Sequence, residues 1–145
     1  MLPGLTTEGL LPRGIHGATW QELTDAFGVD MRRRVLLTGL REACWALAAA
    51  GCTAVWVDGS FVTDRDRPGD YDACWDWHGV DVARLDPILL DYSNAGRAAI
   101  KGKYLGDVLI AGIESGSGLT FVDFFQRTRD GRAKGIVLLD PRNVP

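Results

Sequence analysis

Val57-Asp58-Gly59-Ser60-Phe61-Val62-Thr63-Asp64-Arg65-Asp66-Arg67-Pro68-Gly69-Asp70-Tyr71-Asp72 is the stretch that decides how this chain folds and what chemistry it can carry. The segment leading into it, Thr53-Ala54-Val55-Trp56-Val57, is short, β-branched and aromatic, which predicts a buried strand. Pro68-Gly69 is a turn pair and sets off a second strand over Asp70 to Trp77. Side chains alternate along a strand, so Asp70 and Asp72 project to one side and Tyr71 to the other. Two carboxylates held this way repel each other, and a hard divalent cation with oxygen ligands, Mg²⁺ or Mn²⁺, removes the conflict. Gly59, just after the first strand, has no side chain, tolerates positive φ and lets backbone N–H groups approach an anion, while Ser60 adds a hydroxyl donor. The stretch therefore predicts a grip for the outer phosphates of a nucleoside triphosphate at Gly59 and Ser60, beside a metal on Asp70 and Asp72. Continued alternation puts Trp75 on the face of Tyr71, buried beneath the site, and Asp76 on the carboxylate face, where it adds negative potential.

Outward from this stretch the chain reads as alternating helices and strands. Thr19-Trp20-Gln21-Glu22 has capping-box spacing and predicts a short helix to Phe27, ended by Gly28. Asp30 caps a longer helix over Met31 to Ala50, in which Leu36, Leu40, Ala43, Cys44 and Leu47 recur every three or four residues and Gly51 is the stop. Arg32-Arg33-Arg34 in its first turn reads as a solvated helix start, positive charge being unfavourable there against the helix dipole. Asp81 to Tyr92 and Ser93 to Lys101 read as helical segments with a break near Pro87. A third strand is expected over Tyr104 to Ala111, then a glycine- and serine-rich loop over Gly112 to Gly118. Thr120 to Gln126 fits either an amphipathic helix or an alternating strand, and Gly135 to Leu139 is a strand after the turn Asp130-Gly131. Met1 to Ala18, with Pro3, Pro12 and three glycines beyond its first turn, shows no sustained period and reads as an extended arm.

Composition bounds the possibilities. A length of 145 residues with 46% hydrophobic residues suits one α/β domain spanning 1–145. With charged residues at 24% and no run near the roughly 20 apolar residues of a membrane span, no membrane segment is expected. The first residues lack the basic and apolar regions of a secretory signal, so a cytoplasmic protein is expected. Cys44, Cys52 and Cys74 are odd in number and unclustered, which points to reduced, buried side chains rather than a disulfide framework or structural zinc. His16 and His78 have no ligand-spaced partner. A net charge of −3 excludes a broad footprint for duplex nucleic acid and leaves room only for a local basic patch.

An apolar strand, Gly-Ser, nine residues and then Asp-apolar-Asp resembles the signature of the polymerase-β-like nucleotidyltransferase superfamily, and the short chain resembles its minimal branch. The segments Leu11-Pro12-Arg13-Gly14-Ile15-His16, Asp58-Gly59-Ser60-Phe61-Val62-Thr63, Asp123-Phe124-Phe125-Gln126 and Lys134-Gly135-Ile136-Val137 resemble an uncharacterised nucleotidyltransferase-like family of bacteria and their phages. This resemblance implies a small mixed sheet flanked by helices (α+β), and Mg²⁺-dependent transfer of a nucleoside monophosphate from an NTP to a protein, tRNA or other nucleic-acid hydroxyl. It also implies a third Asp on the strand after the helical segment, completing the metal site and lying near the attacking hydroxyl. Asp107 in Gly106-Asp107-Val108-Leu109-Ile110 matches that position, with Asp123 as its rival. Lys101 and Lys103, just before that strand, either reach a triphosphate as point charges or end a solvated helix, and Lys103 is the nucleotide-binding candidate. The chain departs from the superfamily in having Phe61 after Gly-Ser and in lacking a recognisable C-terminal helical domain. The alternative the resemblance carries is an inactive interaction module, one half of a toxin–antitoxin or phage-defence pair.

Overall fold

The computed structural model describes residues 1–112 and 117–145, so four positions of the expected Gly112–Gly118 loop lie outside the described residues. The fold is mixed α+β. Among the described residues its sheet has five strands: β1 (Gly14–Gly17), β2 (Val55–Asp58), β3 (Tyr71–Trp75), β4 (Gly106–Ile110) and β5 (Gly135–Leu139), in the order β1-β5-β2-β3-β4. β1 runs parallel to β5 and β3 parallel to β4, while β2 is antiparallel to both of its neighbours. The helices are α1 (Trp20–Phe27), α2 (Met31–Ala49), α3 (Asn94–Tyr104) and the short α4 (Phe121–Phe125). Among the described residues, no helix is long and apolar enough to cross a membrane.

Alternation along the strands sorts the core into two layers. Val55, Val57, Tyr71, Ala73, Trp75, Val108, Val137 and Leu139 face one way, onto Leu23 of α1, Leu36, Leu40 and Leu47 of α2 and Ile100 of α3. Trp56, Cys74 and Ile136 face the other way and are covered by Phe121, Val122 and Phe125 of α4. Trp75 is buried on the helix-covered face, beneath the sheet, as alternation predicts. The helix starts follow from their caps. Thr19 Oγ1 accepts from Glu22 N at 3.1 Å and Glu22 Oε1 accepts from Thr19 N at 3.3 Å, while Asp30 Oδ1 accepts from Arg33 N at 2.8 Å. α2 and α3 cross tightly at Gly39, where an added Cβ would lie 2.0 Å from the Tyr104 carbonyl oxygen. Cys44, Cys52 and Cys74 are all free and buried, and burial pushes the Cys44 and Cys74 thiols up to about 12.

Several expectations need correction. The N-terminal arm is not wholly irregular: Gly14–Gly17 adds to the sheet edge beside β5. The strand expected over Asp70 to Trp77 is shorter, Tyr71–Trp75: Asp76 still donates its backbone N–H to Ala54 O at 3.0 Å, and the chain turns after it, where the Asp76 carboxylate accepts from the backbone and ring of His78. Asp81 to Tyr92 forms two single 3₁₀ turns, Val82–Arg84 and Pro87–Leu90, each capped by an aspartate. The ambiguous Thr120–Gln126 segment is helical, with Thr120 as its cap.

The largest correction concerns Arg32-Arg33-Arg34, which is not a solvated helix start. Arg33 is only 3% exposed and spreads its guanidinium over three carbonyls of the loop between the two halves of the motif. It donates to Phe61 O at 2.5 Å, Thr63 O at 2.8 Å and Arg65 O at 2.7 Å, and its guanidinium carbon stands 5.5 Å from the Phe61 ring centre. Arg32 reaches the far end of the same loop, donating to Pro68 O at 3.1 Å and Gly69 O at 2.5 Å. A loop without a ladder of its own must have its carbonyls satisfied from elsewhere, and α2 supplies the donors. Arg33→Met should therefore destabilise the fold by about 3 kcal/mol, since it strips three carbonyls of their donor. Arg34→Ala, which loses one bond to Gly28 O on the exposed side, should cost no more than about 1 kcal/mol. Urea unfolding of the two variants measures the contrast, and equal losses would contradict the clamp.

Candidate metal and phosphate site

Hydrogen-bond register assembles the site. Asp58 at the end of β2 stands opposite Asp72 of β3, and Asp72 stands opposite Asp107 of β4. Directly opposed residues share a face, so the three carboxylates form a row across adjacent strands, on the face that carries Trp56 and Cys74. Asp70, just before β3, joins them. Ligand oxygens of Asp70, Asp72 and Asp107 all lie within 4.8 Å of one another, close enough to share one divalent ion. Asp123 is not part of this group. It sits on α4, lining a cleft with Arg13, Gln126 and Arg127.

Asp72 is the centre of the electrostatics. Burial, then the charges of Asp70, Asp58 and Asp107, push its carboxyl up to about 7. Burial also raises Asp58, which is only 4% exposed, against the pull of Lys134. Lys134 Nζ approaches Asp58 Oδ1 at 2.9 Å, and the angle leaves that oxygen without a well-aligned hydrogen bond. Two more cations reach the row from α3: Lys101 Nζ lies 2.9 Å from Asp70 Oδ2, and Arg97 Nη2 lies 3.4 Å from Asp107 Oδ2. Arg97 and Lys101 are four residues apart and so share one helix face. The hydrogen bond to Asp70, then the field of Asp107, raises the Lys101 ammonium above its ordinary value.

Gly59 carries a φ of +88°, and a Cβ there would come within 2.9 Å of Asp72 Oδ2. Both features require glycine: the strand must turn sharply at its end, and the backbone must pass directly beside the carboxylate. Ser60 opens a single 3₁₀ turn, Ser60–Val62, and among the described residues its hydroxyl has no protein partner. Phe61 is fully buried, its ring centre 6.2 Å from that of Phe27, so the residue that departs from the superfamily pattern is a core anchor for the turn.

Lys103 is not at this site. It is two residues beyond Lys101, on the other side of α3, and its Nζ lies 2.6 Å from Asp86 Oδ2. Burial opposes ionisation of Asp86, yet the bonds from Lys103 and Tyr104 hold its carboxyl below the usual range. Asp76 contributes nothing to the row either. It lies past the other end of β3, where backbone and ring bonds from His78 hold its carboxyl down. His16 is engaged by Pro12 O at 2.6 Å, and neither histidine joins an acidic cluster among the described residues.

Three participants escaped the sequence: Asp58, Lys134 and Arg97. The four-residue interval between Arg97 and Lys101 was a usable signal. Asp58 and Lys134 were not legible as a pair, because 76 positions separate them and only the β2–β5 pairing brings them together.

No curated protein and no solved structure matches the chain. A family model does match it, over residues 3–140, which contain every residue of the site just described. The chain belongs to that family, DUF6932, a family of unknown function.

Proposed function

We propose that this chain binds a nucleoside triphosphate with Mg²⁺ or Mn²⁺ and transfers its nucleoside monophosphate to a protein or nucleic-acid hydroxyl, releasing pyrophosphate. The observation that carries this reading is the convergence of Asp70, Asp72 and Asp107 on adjacent strand starts, with oxygens within 4.8 Å, next to the side-chain-free backbone of Gly59. The donor set fits a hard cation: three carboxylates, no sulfur or imidazole, and an Asp72 carboxyl that resists ionisation while the group stands alone. Held by these three residues, the ion would neutralise the phosphates and the departing pyrophosphate. The chain supplies the rest. The backbone around Gly59 and the unpartnered Ser60 hydroxyl offer hydrogen bonds to phosphate oxygens. On this reading Asp107, at the β4 end of the row, would take the proton of the attacking hydroxyl. Arg97 and Lys101, whose side chains are 49% and 52% exposed, can exchange a carboxylate partner for a phosphate one.

A second reading is favoured by the same two cations. In the structure they already neutralise Asp70 and Asp107, which suits a non-catalytic module that uses the site as a salt-bridged surface for a partner protein. Magnesium titration by calorimetry separates the two readings, because the module needs no ion.

Incubation with each labelled NTP and Mg²⁺ or Mn²⁺, followed by a search for label on protein, tRNA or oligonucleotide, tests the transfer itself. The double variant Asp70→Asn, Asp72→Asn should lose roughly 1,000-fold in transfer while keeping its circular dichroism, and undiminished label would sink the assignment.

The Asp72 carboxyl also sets a pH dependence. Its folded pKa of about 7 lies above that of an unfolded aspartate, so its contribution to stability is full below about pH 4 and is lost as pH rises through 7. Between pH 5.5 and 8 the metal-free protein should lose on the order of 2 kcal/mol from this group, and Asp72→Asn should melt about 5 °C above the wild type at pH 8. Mg²⁺ affinity should move the other way, rising with pH across the same window as the proton leaves. Thermal melts and calorimetry at the two pH values check both signs.

A further inference from the structure

The sheet topology places one end of every strand along a single edge. The starts of β1, β5, β3 and β4 and the end of β2 all lie there, as the parallel β1–β5 and β3–β4 pairs and the two antiparallel β2 pairs require. Read across in sheet order, that edge carries Arg13 before β1, Lys134 before β5, Gly59 after β2, Asp70 and Asp72 at β3, and Asp107 in β4. Cations stand at one end, carboxylates at the other, and a glycine between. Lys134 is taken by Asp58, but Arg13 and Arg127 have neither an ion pair nor a side-chain hydrogen bond among the described residues. Both line one cleft of about 310 Å³, together with Asp123, Gln126 and Ala133, the residue immediately before Lys134.

We infer that this cleft binds the terminal phosphates of a polyphosphate, those of the nucleoside triphosphate and of the pyrophosphate it releases, through the guanidiniums of Arg13 and Arg127. The inference deepens the proposed function and takes the identity of its ligand from that reading. Two free guanidiniums in one concavity suit phosphate oxygens, which they can meet with paired, charge-assisted hydrogen bonds. Direction comes from the strand order. The carboxylate assigned to the attacking hydroxyl, Asp107, is on β4, so the acceptor approaches from that end and the leaving phosphates point past Gly59 toward β5 and β1. From β3 to β1 is three strand spacings, roughly 14 Å, which a phosphate chain and an extended arginine side chain bridge together. Asp123 lies in the cleft as well and opposes an anion, so its charge offers a test of opposite sign.

Inorganic tripolyphosphate titrated calorimetrically in EDTA probes the cleft without any metal. The wild-type chain should bind it, the double variant Arg13→Ala, Arg127→Ala should bind about tenfold more weakly, and Asp123→Asn should bind more tightly. All three positions are exposed, and unchanged thermal melts would show that the fold is intact. With Mg²⁺ present, the preference of the wild type for NTP over NMP should shrink in the double arginine variant. Equal tripolyphosphate affinity in wild type and arginine variant, or no binding by the wild type, overturns the cleft assignment. Wild-type protein that binds tripolyphosphate through these arginines yet binds no Mg²⁺ supports the cleft while removing the transfer reading.

Discussion

Like charges held at strand spacing are the constraint around which this molecule is arranged. Once β2, β3 and β4 pair in their observed register, Asp58, Asp72 and Asp107 must sit side by side on one face of the sheet. Burial worsens the conflict, since each carboxylate has lost part of the water that would screen it. Relief comes from three cations on two elements: Lys134 ahead of β5, and Arg97 and Lys101 from one face of α3. The two α3 cations are half exposed and free to leave, whereas Lys134 has a side chain 12% exposed, against a partner at 6%. Asp58 is therefore the structural member of the row, permanently paired. Asp70, Asp72 and Asp107 are the members whose neutralisation can be exchanged.

That division depends on a rigid loop. Asp70 and Gly59 belong to opposite ends of a segment with almost no regular hydrogen bonding, so their juxtaposition depends on both ends being held. Arg33 and Arg32 hold it from α2, one near each end. A buried guanidinium is costly by itself, and desolvation draws the Arg33 pKa downward. Five N–H donors in a fixed fork meeting three carbonyls compensate for that cost, which lysine in the same place could not do. α2 is thus both a core helix and the brace of the site, and the glycine that lets it pack against the end of α3 brings Arg97 and Lys101 within reach of the carboxylates.

How much of this was legible depended on the range of each interaction. Local chemistry read well. The Thr19–Glu22 capping box, the Asp30 cap, the burial of the cysteines and the shared side of Asp70 and Asp72 all follow from neighbours within a few residues. Asp107 was placed by element order, and strand pairing brings it beside Asp72. Lys103 was misplaced because a helix turns about 100° per residue, so two lysines two apart cannot serve the same site. Arg33 was misread for a different reason. Dipole and charge-run rules describe an isolated helix end, and here loop carbonyls 28 to 32 residues away override them. Asp76 is excluded by distance: four residues of strand, roughly 13 Å, separate it from Asp72, so its charge lies at the far end of β3, where His78 engages it.

The same limit of range explains why net charge does not show how charge is distributed over the molecule. A total of −3 averages over a surface on which β1 and β5 carry cations to one end of the sheet edge while β3 and β4 carry carboxylates to the other. Arg13 and Asp70 are 57 residues apart in sequence, and Lys134 follows Asp107 by 27, so no window of the sequence contains the gradient. It is a product of topology. On the proposed reading, an anion and a cation bound together would meet such an edge better than either alone: the cation would sit where the carboxylates crowd, the anion would extend toward the free guanidiniums, and glycine would leave the path between them clear. The local field at this edge is set by which strand ends lie side by side, and the overall charge does not reveal it.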